Sequence, residues 1–267
     1  MLVKTCRKVR VFLFHIKSNI KYALYLLWHI TKKSMCTHSN KNDMEHKTII
    51  QKLLDKSLNK NYLEIGVATG ENFVGINAKY KVGVDPIQPS ELVKQTLSKN
   101  CIYHETNSDD FFAKGDSSAK FDVIFVDGYH EYKQVYRDII NSLEHLVPNG
   151  VIVAHDCKPM DLVTALPPRL YKHIDPVIKI LNRGAWTGDV WKAIVHLRSF
   201  HNDLCVFTLD CDCGCAIISK GEPESPLSFS QAEIEAMDFD DLCSDYSGLL
   251  NLKPAEYLDT FLIRNGN

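Results

Sequence analysis

The chain has 267 residues, 45% apolar and 24% charged, with nine cysteines and a formal net charge of −2. That is enough chain for one full hydrophobic core with appendages. The charge is uneven: residues 1–42 carry nine Lys/Arg and no acid, which leaves 22 basic against 33 acidic side chains, −11, over residues 43–267. An acidic body argues against a nucleic-acid partner, because phosphate neutralisation needs a basic face.

The cysteines form no spaced disulfide framework and no Asn-x-Ser/Thr sequon occurs. Both points favour a reducing, cytoplasmic compartment. In residues 1–33, Val9, Phe12, Ile16, Ile20, Leu24 and Leu27 recur at helical spacing among lysines. The longest uncharged stretch, Tyr22 to Thr31, is too short to span a bilayer, which takes about twenty residues. The expectation is a basic amphipathic helix in peripheral contact with a membrane surface, or else a disordered or partner-docked extension. Ser34 to Asn42 reads as a polar linker, so the division expected is an extension over 1–42, a domain over 43–222 and an acidic tail over 223–267.

Ile49, Ile50, Leu53, Leu54 and Leu58 make one apolar helical stripe. Tyr62-Leu63-Glu64-Ile65-Gly66 is a short strand that runs into a glycine-spaced turn ending at Gly70, with a helix expected over Glu71–Ala78. Strand, tight loop and helix start present backbone N–H groups to a ligand. A second strand, Lys81 to Val84, ends on Asp85, where a carboxylate can accept from both hydroxyls of a ribose. The turn is neither GxGxxG nor a P-loop, which suggests a nucleoside without a pyrophosphate, and S-adenosylmethionine fits.

A helix follows from the Ser90 cap to about Lys99, then a strand at Cys101–His104. Asn107-Ser108-Asp109 precedes a short helix capped by Ser or Asp. Phe121 to Val126 is an apolar strand ending on Asp127, and a long helix covers Glu131–Leu146. Val151 to Ala154 is the fifth strand, with His155-Asp156 at its tip. Such alternation predicts a Rossmann-like, doubly wound α/β sheet of about seven strands, mostly parallel with a C-terminal antiparallel strand. Glu64, Asp85, Asp109, Asp127, His130, His155 and Asp156 then all fall on one rim.

Residues 61–157 resemble the class I S-adenosylmethionine-dependent methyltransferases. The resemblance is to the group of macrocin O-methyltransferase and the cephalosporin hydroxylase-like families. It rests on Leu63-Glu64-Ile65-Gly66, Val84-Asp85, Asp109-x-Phe111-Phe112, Val126-Asp127-Gly128-Tyr129-His130 and His155-Asp156. It implies that Glu64 meets the methionine amino group, that Gly66 and Gly70 let the backbone approach the cofactor, and that Asp85 holds the ribose. Ser108 or Asp109 would read the adenine, with an N-cap role for Asp109 as the alternative. By the same resemblance Asp127 and Asp156 share a divalent cation, Mg²⁺ by their hard oxygen ligands, with the third ligand open.

His130, at a helix start that keeps it neutral, is the expected general base and His155 the alternative. The acceptor is expected to be a hydroxyl of a sugar or small molecule, and a homo-oligomer is admitted. Two other readings stay open: a nicotinamide-dependent oxidoreductase, disfavoured by the missing GxGxxG, and a non-catalytic nucleoside-binding module tethered to a membrane.

After the fifth strand, helices are expected at Leu170–Leu181 and Asp189–Ser199. The Gly-bearing loop between them brings Arg183 and Trp186, as acceptor contacts or as packing of the loop itself. Leu204–Leu209 and Cys215–Ser219 read as a strand pair joined by Cys211-Asp212-Cys213-Gly214-Cys215. That spacing is not a zinc ribbon's, so the cysteines are read as structural. The tail predicts short helices at Ser230–Met237 and Pro254–Leu262.

Overall fold

The computed structural model describes residues 44–114, 118–174 and 186–265. The basic extension and Arg183 lie outside them. One eight-stranded sheet runs through the molecule: β1 (Asn61–Ile65), β2 (Tyr80–Asp85), β3 (Cys101–Glu105), β4 (Phe121–Val126), β5 (Leu146–Ala154), β6 (Leu204–Leu209), β7 (Cys215–Lys220) and β8 (Leu252–Lys253). Their spatial order is β3-β2-β1-β4-β5-β7-β6-β8. Strands β1 to β5 are mutually parallel, and β7 runs against both β5 and β6. Chain order reverses where β1 meets β4, so the loops after these strands diverge and leave a crevice at their C-terminal ends.

β4 is buried at all six positions, as befits a central parallel strand covered on both faces. On one face lie α5 (Tyr132–Leu143) and α7 (Trp191–Phe200), which bring Val135, Ile139, Trp191, Ile194 and Leu197. On the other lie α1 (His46–Lys56) and the last helix (Tyr257–Asn265), with Ile49, Ile50, Leu53, Leu54, Leu258 and Phe261. The stripe expected on α1 is thus its buried face, although Leu58 falls beyond the helix and is 96% exposed.

Several boundaries differ from expectation. The helix from Glu71 stops at Gly75, where Ile76 turns extended and drops into the core. The helix capped by Ser90 stops at Lys94, and Thr96 Oγ1 donates to the Val93 carbonyl in place of a further helical turn. Pro148-Asn149-Gly150 does not precede β5 but bulges out of it: Leu146 already pairs with Phe121 before Val151 pairs with Val123. Ser108 and Asp109 do not cap α4 (Ser108–Lys114), since Asn107 Oδ1 accepts from the Asp110 amide at 2.8 Å. Of the helix predicted at Leu170–Leu181, the described residues show the turn α6 (Pro168–Tyr171), and residues 175–181 lie outside them.

The tail adds more order than its composition suggests. Besides Gln231–Ala236 it forms helices at Phe239–Ser244 and Tyr246–Leu250, then β8. Arg198, 4% exposed, anchors it: Nη1 donates to the carbonyls of Gly248 and Leu249, and Nη2 to that of Ser225. Arg198→Met keeps the apolar stem but strands three carbonyls, at a cost of about 3 kcal/mol. A urea unfolding curve should show the midpoint falling accordingly, and an unchanged midpoint would remove the anchoring role.

Candidate active site

The site begins at the tips of β1 and β4. Ile65 accepts from the Asp127 amide at 2.9 Å, and the Gly66 amide donates to Val84 at 2.9 Å. Gly66 has φ +90°, and a Cβ there would sit 2.1 Å from the Asp127 carbonyl oxygen. At Gly70, φ +86°, a Cβ would meet Val93 at 2.2 Å. Both glycines satisfy close approaches within the protein, and Gly66 also lines the cavity.

Glu64 is buried to 1% exposure at the end of β1. Its Oε2 accepts from the Tyr62 hydroxyl at 2.6 Å and from Asn72 Nδ2 at 2.9 Å. Burial pushes its carboxyl up to about 8, against the pull of the Tyr62 hydroxyl. Asn72 Oδ1 is buried beside it with no donor. Two acceptors without a matching cation make a seat for an ammonium group.

Asp85 Oδ2 accepts from the Ala68 amide and Oδ1 from the Ile87 amide, both at 2.9 Å. The carboxylate thereby holds the loop after β1 from the tip of β2, with a second lone pair on each oxygen still available. Ser108 and Asp109 stand further off. Gln134 donates to both at 3.2 Å, and Arg137 pairs with Asp109 at 3.4 Å.

Asp127, His130 and Asp156 do come together. His130 Nε2 lies 3.4 Å from Asp127 Oδ1 and 3.2 Å from Asp156 Oδ2. The three ligand-type atoms fall within 4.8 Å of one another. The opposite ring nitrogen, Nδ1, sits 2.7 Å from the Trp186 carbonyl and so carries the proton, which turns Nε2 to the two carboxylates. A bare lone pair facing two carboxylates is repulsive unless a proton or a cation lies between them. The donor set of two oxygens and one nitrogen fits a divalent ion such as Mg²⁺ or Mn²⁺.

Those carboxylates also correct the neutral-histidine expectation. Burial would lower His130, but Asp127 and Asp156 raise it above its ordinary value. Asp127 is pushed up by burial, yet His130 and His155 more than offset this and hold it at about 2.

His155 Nδ1 lies 3.4 Å from Asp127 Oδ1 and 3.5 Å from Asp156 Oδ1, while Nε2 faces Asp212 Oδ2 at 3.6 Å. These separations are ion-pair distances, and neither buried ring nitrogen makes a hydrogen bond. Burial lowers the imidazole, but the three carboxylates raise it well above the ordinary value.

A cavity of about 460 Å³ joins these groups. Glu64, Gly66–Thr69 and Asn72 line one wall, and Asp127, His130, His155, Asp156 and His46 the other. Asp85, Ser108 and Asp109 stand outside this lining.

His46, Asn72 and Asp212 escaped the sequence reading, and Trp186, expected as an acceptor contact, holds the His130 ring through its carbonyl. Gly188 and Asp189 support the same loop from the start of the segment that leads into α7. Asp189 Oδ1 accepts from the Tyr132 amide at the start of α5, and Gly188 packs on the His130 carbonyl, where a Cβ would come within 2.0 Å.

The family model described as a methyltransferase domain matches residues 63–157, the stretch from β1 to the end of β5 that builds the cavity. No curated protein matches the chain. Among solved structures, an S-adenosylhomocysteine-bound methyltransferase of Podospora anserina aligns at 18% identity and TM-score 0.49, over 65% of this chain and 76% of its own. An O-methyltransferase of Bacillus cereus, solved with S-adenosylhomocysteine, aligns at 13% and 0.45, over 68% and 84%. The S-adenosylmethionine-bound O-methyltransferase of tomaymycin synthesis from Streptomyces achromogenes aligns at 14% and 0.43, over 66% and 78%. At such identities, what those proteins methylate remains a property of theirs.

Sheet order and family match agree: residues 63–157 match a methyltransferase domain and form the parallel core of a Rossmann-like sheet. No helix among the described residues is long and apolar enough to cross a membrane.

The Gly66 contact generates a direct test. Gly66→Ala must move the Asp127 carbonyl or abandon φ +90°, at a cost of about 3 kcal/mol or more. Thermal unfolding should register that loss, and a wild-type Tm would contradict the close approach.

Proposed function

We propose that the chain transfers the methyl group of S-adenosylmethionine to a hydroxyl of a small molecule or glycan, with a divalent cation assisting. The observation that carries this reading is the cavity with an ammonium seat at Glu64 and Asn72 on one wall and Asp127, His130 and Asp156 opposite. The methionine end of the cofactor would meet Glu64 and the Asn72 carbonyl oxygen. The ribose hydroxyls would use the free lone pairs of Asp85, and Ser108 and Asp109 would contact the adenine. Asp127 and Asp156 would hold the cation, which when bound lowers the pKa of an acceptor hydroxyl and leaves His130 Nε2 free as the base.

The transfer forms an O–CH₃ bond, breaks the sulfonium S–CH₃ bond and frees the hydroxyl proton. His130 Nε2 faces the cavity with its other nitrogen held by Trp186, and carboxylates beside it favour the imidazolium that results. It is therefore a stronger base than an isolated histidine, though less of it is neutral at pH 7. His155 is the other imidazole on this wall. A cavity of this size and the acidic surface of residues 43–267 suit a small neutral or cationic acceptor better than a polyanion.

Calorimetry with S-adenosylhomocysteine should give a clear binding heat, and its absence would sink the reading. Methyl transfer should fall by about 100-fold or more in Asp127→Asn while that binding persists. EDTA should abolish transfer and Mg²⁺ or Mn²⁺ restore it. Transfer at the full rate after chelation would eliminate the cation.

Glu64 adds a proton-linked signature. With its carboxyl raised to about 8, the neutral form dominates at pH 7, and an ammonium group docking there favours the ionised form. Binding should then release about 0.9 proton at pH 7 and almost none above about pH 9. Binding enthalpies compared across buffers of different ionisation heat would measure this, and Glu64→Gln should abolish the release. A release that persists in that variant would assign it elsewhere.

A further inference from the structure

The methyltransferase reading makes no use of His46 or Asp212, and the cysteine-rich turn after β6 has no part in it. His46 begins α1, and Asp212 stands in the middle of Cys211-Asp212-Cys213, yet they meet beneath the tip of β5. His46 Nδ1 lies 2.5 Å from Asp212 Oδ2, and the His46 amide donates to the same oxygen at 2.7 Å. The His46 and His155 rings are 4.8 Å apart between centroids, and Phe125 stacks on His46 at 5.3 Å to fix its plane. One ligand-type atom from each of His46, His155 and Asp212 falls within 4.8 Å of the other two. An independent observation points the same way: both ring nitrogens of the partly buried His155 are shielded from solvent, and neither makes a hydrogen bond. Leaving two such atoms unsatisfied is costly, and a ligand taken at one of them relieves it.

We propose that His46, His155 and Asp212 form a second cation site, specific for Zn²⁺. Two imidazole nitrogens and one carboxylate oxygen are the donor set that Zn²⁺ takes when a fourth position stays open. The Asp127–His130–Asp156 set has one nitrogen and two oxygens and is the harder of the two. His155 Nε2 faces Asp212 and is the nitrogen offered to this site. Its Nδ1–H then points to the carboxylates of Asp127 and Asp156, the arrangement by which a metal-bound imidazole is normally held. Because His46 and His155 also line the cavity, the fourth position opens toward an acceptor oxygen. The site does not depend on methyl transfer and would exist in a chain that only binds a nucleoside.

The test is metal stoichiometry on the full chain. Chelator-stripped protein is titrated with Zn²⁺ by calorimetry and with Co²⁺ by its visible absorption. The wild type should take up two equivalents. His46→Ala and Asp212→Asn should each lose one, with affinity at that site down by about 100-fold or more. Asp127→Asn should keep the one held by His46, with its tetrahedral-type Co²⁺ absorption. Wild-type protein that binds no Zn²⁺, or binds one equivalent removed by Asp127→Asn alone, overturns the proposal. So does a stoichiometry that neither His46→Ala nor Asp212→Asn changes. The two variants act on different elements, a helix start and a hairpin turn, so a folding defect in one leaves the other informative.

Discussion

Everything at the site depends on how closely two parallel strands bring their ends together. β1 and β4 are adjacent, and at their tips the Asp127 amide donates to Ile65 while the Asp127 carbonyl fills the space where Gly66 lacks a Cβ. That contact sets the loop carrying Gly66 to Thr69 against the loop carrying Asp127 to His130. A larger residue at Gly66 would wedge the two loops apart. The Glu64 wall and the Asp127 wall of the cavity are thus two faces of one backbone contact. The topological switch between β1 and β4 makes room for the ligand, and Gly66 sets how narrow that room is.

The second constraint is burial of charge. Glu64 is neutralised by desolvation, whereas Asp127 stays ionised although it is also shielded from solvent. What separates them is their neighbours. Glu64 has a phenol and an amide, which stabilise a carboxylate only modestly. Asp127 has two imidazoles within 3.4 Å. Pairs of carboxyl groups driven apart in this way mark a site with divided labour.

The local signals were legible in sequence. Strand, glycine turn and acidic strand end are contiguous, so the Gly66 turn and the Asp85 strand end could be read from spacing, while Glu64 took its role from the family resemblance. Asp127 and His130 lie three residues apart on one loop, and the family resemblance covered the same stretch that the methyltransferase-domain family matches. What stayed hidden lies far away in the chain. Trp186 reaches His130 across 56 residues, and Asp212 reaches His46 across 166. No periodicity encodes such contacts. The Cys211-x-Cys213-x-Cys215 pattern drew the eye to its sulfurs, yet Cys211 and Cys215 are buried in the core and Asp212 between them faces the site. Asn107 caps α4, and sequence does not single it out because Ser108 and Asp109 beside it are equally good cap residues and only the backbone path separates them.

The tips of β4 and β5, the β6–β7 turn and the start of α1 together gather three carboxylates, Asp127, Asp156 and Asp212, and three imidazoles, His130, His155 and His46. With neutral imidazoles this group carries three negative charges in a half-buried space, and with protonated imidazoles it carries none. Proteins do not leave such an imbalance unanswered, and the raised pKa values of His130 and His155 are the answer the protein gives by itself. Cations would supply the same charge, but they need the nitrogen lone pairs that protons occupy. Protons and metal ions therefore compete for His130 Nε2 and His155 Nε2, and loading either site must release protons. The Trp186 carbonyl biases that competition at His130 by keeping the proton on Nδ1. The carboxylates of Asp127 and Asp156 do the same at His155 from the other side of the ring. His130 and His155 thus each face acceptors at Nδ1 and turn Nε2 toward the carboxylates where a proton or a cation would sit.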